Sequence, residues 1–311
     1  TSSGYFSVQD WQPDEILAED DEYLQQIAKD IEADLRHSAI FCEKITSRCS
    51  LDSSQPDGIK HYMLSECGSA NFTKLLSRMR SASLDAADEI GSDNYMGVKG
   101  LLDVAHDVAS KLVVFNIEAA AIRKHKLDCL KSGAGVRGLP NMSNALAPAF
   151  AARSLNATTG YHVKHSGSSE LEGNVSVMLD SGFSRKGGSN DVVNRIVGKI
   201  FAKVMDKELS GDMSNEHFKT AQLKRLNAML KVKKEHDDIR TRRRYFLIIP
   251  DEVMDTYKDV LDKIRELVPD FLFFHITSDY VEGIFTIDDA DIEAALIDYF
   301  TALEKLRPHE Q

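Results

Sequence analysis

Apolar residues recur at three- and four-residue steps through Leu17, Leu24, Ile27, Ala28, Ile31, Leu35, Cys42 and Ile45. This spacing predicts one amphipathic helix over residues 14–49. Pro13 stands where a helix start tolerates it. Asp14, Glu15, Glu19, Asp20, Asp21 and Glu22 place negative charge at the positive end of that helix. A second start follows at Ser54, with Pro56 and Asp57 in the first turn and Gly68 as C-cap. Ser69 opens a short helix through Phe72, Leu75, Leu76 and Met79, and Ser83 opens another that ends at Gly91. Over residues 97–131, Leu101, Leu102, Ala105, Val108, Ala109, Leu112 and Val113 form a wide apolar face, which Gly133 and Gly135 terminate.

The texture changes over residues 132–190, where Gly, Ser, Asn and Thr dominate. Two alternating runs stand out, Tyr161 with Val163 and Val175 with Val177 and Leu179, and are predicted to pair as a hairpin. A short helix within residues 139–155 is expected to break at Pro148. Helical periodicity returns at Ser189, with Val193, Ile196, Val197, Ile200, Phe201 and Val204 on one face. Ser214 caps the next helix, which buries Phe218, Leu223, Leu226, Met229 and Leu230. A strand at 245–249, a helix at 251–267, strands at 271–277 and 281–287, and a helix capped by Asp288 or Asp289 complete the chain. That βαββα order lacks one strand of a ferredoxin-like unit, which the Val175 run is available to supply. The expected fold class is therefore α+β. It has a helical domain over 1–135, a Gly/Ser-rich connector with a hairpin over 136–190, and a ferredoxin-like sandwich over 191–311. No internal repeat is evident.

The chain has 311 residues, 42% hydrophobic and 28% charged. Those values exclude collagen-like, disordered and disulfide-scaffold chains and allow a large core. No run approaches the ~18 apolar residues of a membrane span. Thr1-Ser-Ser-Gly-Tyr has neither a basic n-region nor an apolar h-region, so no signal peptide is expected, and Thr1 points to a removed initiator Met or a processed end. Cys42, Cys49, Cys67 and Cys129 form no CxxC pair and read as reduced thiols. Cys42, Cys49, His61 and Cys67 match no common zinc spacing, so no metal and no cofactor are expected.

Net charge is −11, which argues against a chain built wholly as a nucleic-acid binder. The charge is uneven. Residues 10–34 hold ten acids and one base, and residues 251–311 hold sixteen acids and five bases. Residues 219–244 hold ten cations and three acids. The dense part of this belt is Lys231, Lys233, Lys234, Arg240, Arg242, Arg243 and Arg244. It reads as a solvated helix face, as a contact for acidic helices of the same or a neighbouring chain, or as a nucleic-acid backbone contact.

A second candidate is the loop from Gly182 through Arg185, Lys186, Gly187, Gly188 and Ser189. It follows a predicted strand and opens a predicted helix, the setting of a phosphate-binding loop. Gly188 stands where such a loop carries its Lys, so Lys186 or Arg185 would have to supply the charge. The alternative is a flexible loop capped by Ser189. Catalysis has no anchor: there is no G-x-S-x-G elbow. His162 and His165 fall on opposite strand faces, and Asp288, Asp289 and Asp291 fit helix capping. Cys67 precedes a helix start, as a nucleophile or a buried thiol.

The first 130 residues also carry a whole-pattern likeness. An acidic lead at 14–22, a helix at 31–45, a bend at Ser50-Leu51-Asp52, a helix beginning Gly58-Ile59, and a later helix from Val98 with a basic end at Arg123-Lys-His-Lys follow in order. This order resembles the internal head or prohead-core proteins of large tailed bacteriophages. The bend in that family often carries Gly-Leu and reads Ser50-Leu51 here. The resemblance implies a non-enzymatic structural or interaction protein, possessing protein partners or self-association and located in the bacterial cytoplasm or the virion. It also implies trimming after a Leu/Ile-x-Glu signal, which Leu17-Ala18-Glu19, Leu64-Ser65-Glu66 and Ile264-Arg265-Glu266 fit.

Overall fold

The structure is a computed structural model. It describes residues 13–118, 121, 122, 125, 137–139, 146–155, 161–163, 169–171, 189–205, 207, 209, 211, 213–234, 245–249, 251–277 and 289–306. Five helices come first: α1 (Pro13–Leu35), α2 (Ala39–Cys49), α3 (Pro56–Glu66), α4 (Phe72–Ile90) and α5 (Tyr95–Val113). The expected helix over 14–49 is two. The Ser38 side chain accepts from the Phe41 N–H and starts α2 afresh. At the far end Ser50 adopts the left-handed conformation (φ 55°), and the N–H of Leu51 bonds back to the Thr46 carbonyl. The two short pieces expected over 69–91 are one helix, α4. Ser83 starts nothing: its buried hydroxyl donates to the Met79 carbonyl at 2.9 Å. The long helix expected over 97–131 stops at Val113 and tightens into one 3-10 turn, Val114–Asn116. There Asn116 donates to the Leu112 carbonyl and accepts from the Gly68 N–H, tying the turn to the end of α3.

The remaining elements are β1 (Arg137–Leu139), α6 (Ala147–Ser154), β2 (Tyr161–Val163), β3 (Ser169–Leu171), α7 (Ser189–Met205), α8 (Glu216–Lys234), β4 (Phe246–Ile249), α9 (Asp251–Leu267), β5 (Leu272–Ile276) and α10 (Asp289–Leu306). Pro148 does not break α6 but sits in its first turn, where a missing N–H costs nothing. The hairpin forms between β2 and β3, with Tyr161 opposite Leu171. The run expected to pair there, 175–179, lies outside the described residues.

The C-terminal part is not ferredoxin-like, and the described residues are mostly helical. In a ferredoxin-like unit an antiparallel strand lies between the two strands that a helix connects. Here β4 and β5 bond directly, in parallel, from Phe246 opposite Leu272 to Ile249 opposite His275. The other edge of β5 is taken by β1, also parallel, with Arg137 opposite Phe274. No place is left between β4 and β5 for a third strand. The expected strand at 281–287 lies outside the described residues.

Successive side chains of these strands face opposite ways, and each face meets a core. Phe246, Phe274 and Ile276 join the N-terminal core formed by α1 to α6. Leu247, Ile249 and Phe273 join a second core with Val193, Ile196, Ile200, Leu226, Leu230, Leu261 and Ile264 from α7, α8 and α9. Helix α10 returns to the first core through Ile292, Leu296, Tyr299, Phe300 and Leu303. The buried Tyr299 hydroxyl donates to the Ala105 carbonyl at 2.8 Å, and Arg80 of α4 pairs with Asp298. Arg153 of α6 is 2% exposed and donates to the carbonyls of Val114 and Ile117, where α5 ends.

Phe274 fills the first core from the middle strand. Phe274→Ala is expected to lower the unfolding free energy by about 3–5 kcal/mol in a guanidinium titration. A loss below about 1 kcal/mol would show that the sheet is not packed on this side.

Candidate functional site

Helix α8 starts where the Asn215 side chain accepts from the Phe218 N–H at 3.1 Å, one residue past the expected Ser214 cap. Leu226 and Leu230 anchor its inner face in the second core. Its outer face is Ala221, Lys224, Arg225, Ala228, Lys231 and Val232, all exposed, with Val232 at 63%. The steps are those of one helical stripe, about 16 Å long at 1.5 Å per residue. Over its whole length α8 carries six cations and one acid. Neither Lys224 nor Arg225 forms an ion pair with a described residue.

Of the expected belt, Lys233 points the other way. Its ammonium donates to the Val204 carbonyl at 2.7 Å and to the Tyr245 hydroxyl at 2.7 Å, and lies 5.1 Å from the Tyr245 ring centre. It therefore joins the end of α7 to the start of β4 and is withdrawn from the surface. Lys231 is exposed. Lys234 ends α8, and Arg240, Arg242, Arg243 and Arg244 lie outside the described residues. The accessible positive face thus reaches further back along the helix than the dense part of the belt, to Lys224 and Arg225. The three-and-four spacing of those two with Ala221, Ala228 and Lys231 was present in the sequence.

Ser189 opens α7 as expected, while Gly182, Arg185, Lys186, Gly187 and Gly188 lie outside the described residues. Lys263 of α9 reaches the second residue of α7, with its ammonium 3.5 Å from the Asn190 side-chain oxygen.

Among the described residues the thiols show no activation. Cys67 donates to the carbonyls of Met63 and Leu112, and burial pushes it up to about 12. Cys42 donates to the Leu35 carbonyl, and burial pushes it up to about 11. Cys49 is raised by burial, against the lowering effect of Tyr62 and Arg78. Among the described residues no group of three or more His, Cys, Asp or Glu is placed to hold a metal ion. No helix among them is long and apolar enough to cross a membrane. All three Leu/Ile-x-Glu matches lie inside helices, the first in α1, the second in α3 with Leu64 half-buried, and the third in α9 with Ile264 fully buried.

A cavity of about 490 Å³ opens between the end of α1 and the starts of α2 and α3, lined by Glu32, Arg36, Cys42, Gln55 and Asp57 among others. Its carboxylates are already engaged. Lys60 donates to Glu32 at 2.7 Å and to Asp57 at 2.5 Å, and Arg36 donates to Glu32 at 2.6 Å. Those bonds hold Glu32 at about 2, against an ordinary 4.5. Deeper along α1, burial pushes the Asp34 carboxyl up even though Lys111 pairs with it.

No protein-family model, no curated protein and no solved structure matches the chain. The geometry alone therefore carries the functional argument.

Removing the inward cation should cost stability and removing an outward one should not. Lys233→Met is expected to lower the unfolding free energy by about 1–3 kcal/mol, because the Val204 carbonyl loses its donor. Lys224→Met is expected to stay within about 0.5 kcal/mol in the same titration. Glu32, with its folded value below its unfolded one, stabilises the fold above pH 4.5 and loses that contribution as pH falls toward about 2. Glu32→Gln should therefore be less stable than the parent near neutrality, with the difference shrinking across that window in acid titrations followed by circular dichroism. A constant difference would show that the Lys60 and Arg36 bonds do not govern it.

Proposed function

We propose that this chain is a non-enzymatic structural or interaction protein that holds an acidic surface on the exposed basic face of α8. The observation that carries this reading is the stripe itself: Lys224, Arg225 and Lys231 on one solvent-facing side, with the small Ala221 and Ala228 between them. Small residues let a partner come close to the helix, and cations at its surface then act at short range. The long side chains of Lys224 and Arg225 hold no core position and form no ion pair with a described residue.

The likeness of the N-terminal helices to prohead-core proteins extends the proposal to an assembly component of a bacteriophage head, made in the bacterial cytoplasm. Capsid, portal or tail genes beside its own would support that extension.

The test is fluorescence anisotropy with a labelled poly-glutamate peptide and a labelled DNA duplex at about 0.05 M salt. The peptide is expected to bind, and the double variant Lys224→Glu/Arg225→Glu to weaken it roughly tenfold. Peptide binding that ignores the double variant would overturn the reading. DNA binding without peptide binding would assign the face to a nucleic-acid backbone instead.

A further inference from the structure

The same helical layer that presents the basic face also presents an acidic one. Helix α9 buries Val260, Leu261 and Ile264 in the second core. On its outer side Asp255, Asp259, Asp262 and Glu266 are all exposed, and exposed Lys258 and Lys263 flank them. Their steps of four, three and four residues place the four carboxylates in one line on one face. From Asp255 to Glu266 the line is about 16 Å long, as is the stripe on α8 from Ala221 to Val232. Asp262 is bridged by Arg265 of the same helix at 3.0 Å. Asp255, Asp259 and Glu266 form no ion pair with a described residue.

Each stripe alone is an ordinary solvated helix face. Together they set a row of cations about 10 Å long, Lys224 to Lys231, and a row of carboxylates about 16 Å long on one molecule. They belong to one layer, in which α7 packs on both helices and the Asn227 amide of α8 donates to the Leu267 carbonyl at the end of α9. Both look outward, so the exposed sides cannot pair within the chain while their inner sides stay in the core.

We propose that the acidic partner of α8 is the α9 face of a second copy of this chain. The proposal rests on the reading of α8 given above and names its occupant. Lys224 and Arg225 of one copy meet Asp255 and Asp259 of the other, with Ala221 and Ala228 allowing the helices to approach. Exposed Val232 adds a small apolar contact at one end. The area of one helix on another is below that of a standard stable interface, and its charges are exposed. The association is therefore weak, strengthened by concentration and weakened by salt. If one contact uses both stripes of both copies it closes as a dimer, and if each copy uses one stripe per neighbour it runs on.

The experiment is sedimentation velocity of the full chain over a concentration series at about 0.05 M and about 0.5 M salt. Two surface variants accompany it, Lys224→Glu/Arg225→Glu and Asp255→Lys/Asp259→Lys, with circular dichroism to show that both remain folded. The parent chain is expected to associate at low salt and to dissociate at high salt. Each variant alone should associate at least tenfold more weakly. An equimolar mixture of the two should associate again, because the reversed α8 face of one now matches the reversed α9 face of the other. A parent chain that is monomeric throughout would overturn the proposal, as would association that ignores salt and both variants. If the chain is monomeric and yet binds poly-glutamate through Lys224 and Arg225, the self-association fails while the reading of α8 stands. If neither occurs, both fail.

Discussion

A strand covered on both faces and paired on both edges leaves little surface to water, and β5 is such a strand, with Phe273, Phe274 and Ile276 buried and Leu272 and His275 half-buried. Phe274 and Ile276 enter one core, Phe273 enters the other, and β4 and β1 take its two edges. Much of the C-terminal architecture follows from this. A parallel pairing needs a long crossover, which α9 supplies in 17 residues. A parallel sheet needs apolar layers on both faces, and α1 to α6 with α10 form one while α7, α8 and α9 form the other. The strands consequently read as largely apolar runs, Phe-Leu-Ile-Ile and, interrupted only by His275, Leu-Phe-Phe-His-Ile, instead of alternating ones.

That constraint also decides where polar groups are permitted. Chain ends and helix ends near the sheet must satisfy their carbonyls without water. Arg153 does this for Val114 and Ile117, Asn116 for Leu112, and Lys233 for Val204. Tyr299 adds a bond across the chain, donating from α10 to the mid-helix carbonyl of Ala105 in α5. These groups would look like candidate site residues from charge or polarity alone. Each has a carbonyl to serve, and the burial that makes the bond strong also keeps the side chain from a ligand.

The sequence was most legible where one face of an element is apolar and its end is marked. Helix α9 falls on residues 251–267 as its periodicity indicates, and α7 begins at Ser189. It was least legible where apolar spacing runs through a break. Leu35 and Cys42 keep helical phase across Ser38, so only the Ser38 cap reveals that α1 and α2 are separate. Ser83 misled in the opposite sense, because a serine that bonds back to Met79 looks the same in sequence as one that caps. The sheet was misread because an apolar run fixes a strand and says nothing of its neighbour. Only the pairing of Ile249 with His275 excludes the inserted strand of a ferredoxin-like unit. At the candidate site, the positive charge of α8 was visible but its direction was not: Lys231 and Lys233 are two residues apart and face solvent and core respectively.

Direction, not total, also governs the electrostatics. A net charge of −11 describes the field of this chain only at distances beyond a Debye length, about 8–10 Å at ordinary salt. Within that distance a partner meets one helix face at a time. Along α8 it meets Lys224, Arg225 and Lys231, and along the outer line of α9 it meets Asp255, Asp259, Asp262 and Glu266. Two copies approaching at random repel through their common negative charge, and in the proposed contact an orientation that brings α8 against α9 reverses the sign locally. The long-range repulsion thus opposes indiscriminate clustering, while the short-range match selects one geometry. Raising salt removes both effects, but it removes the first before the second, because screening acts most strongly on the larger separation.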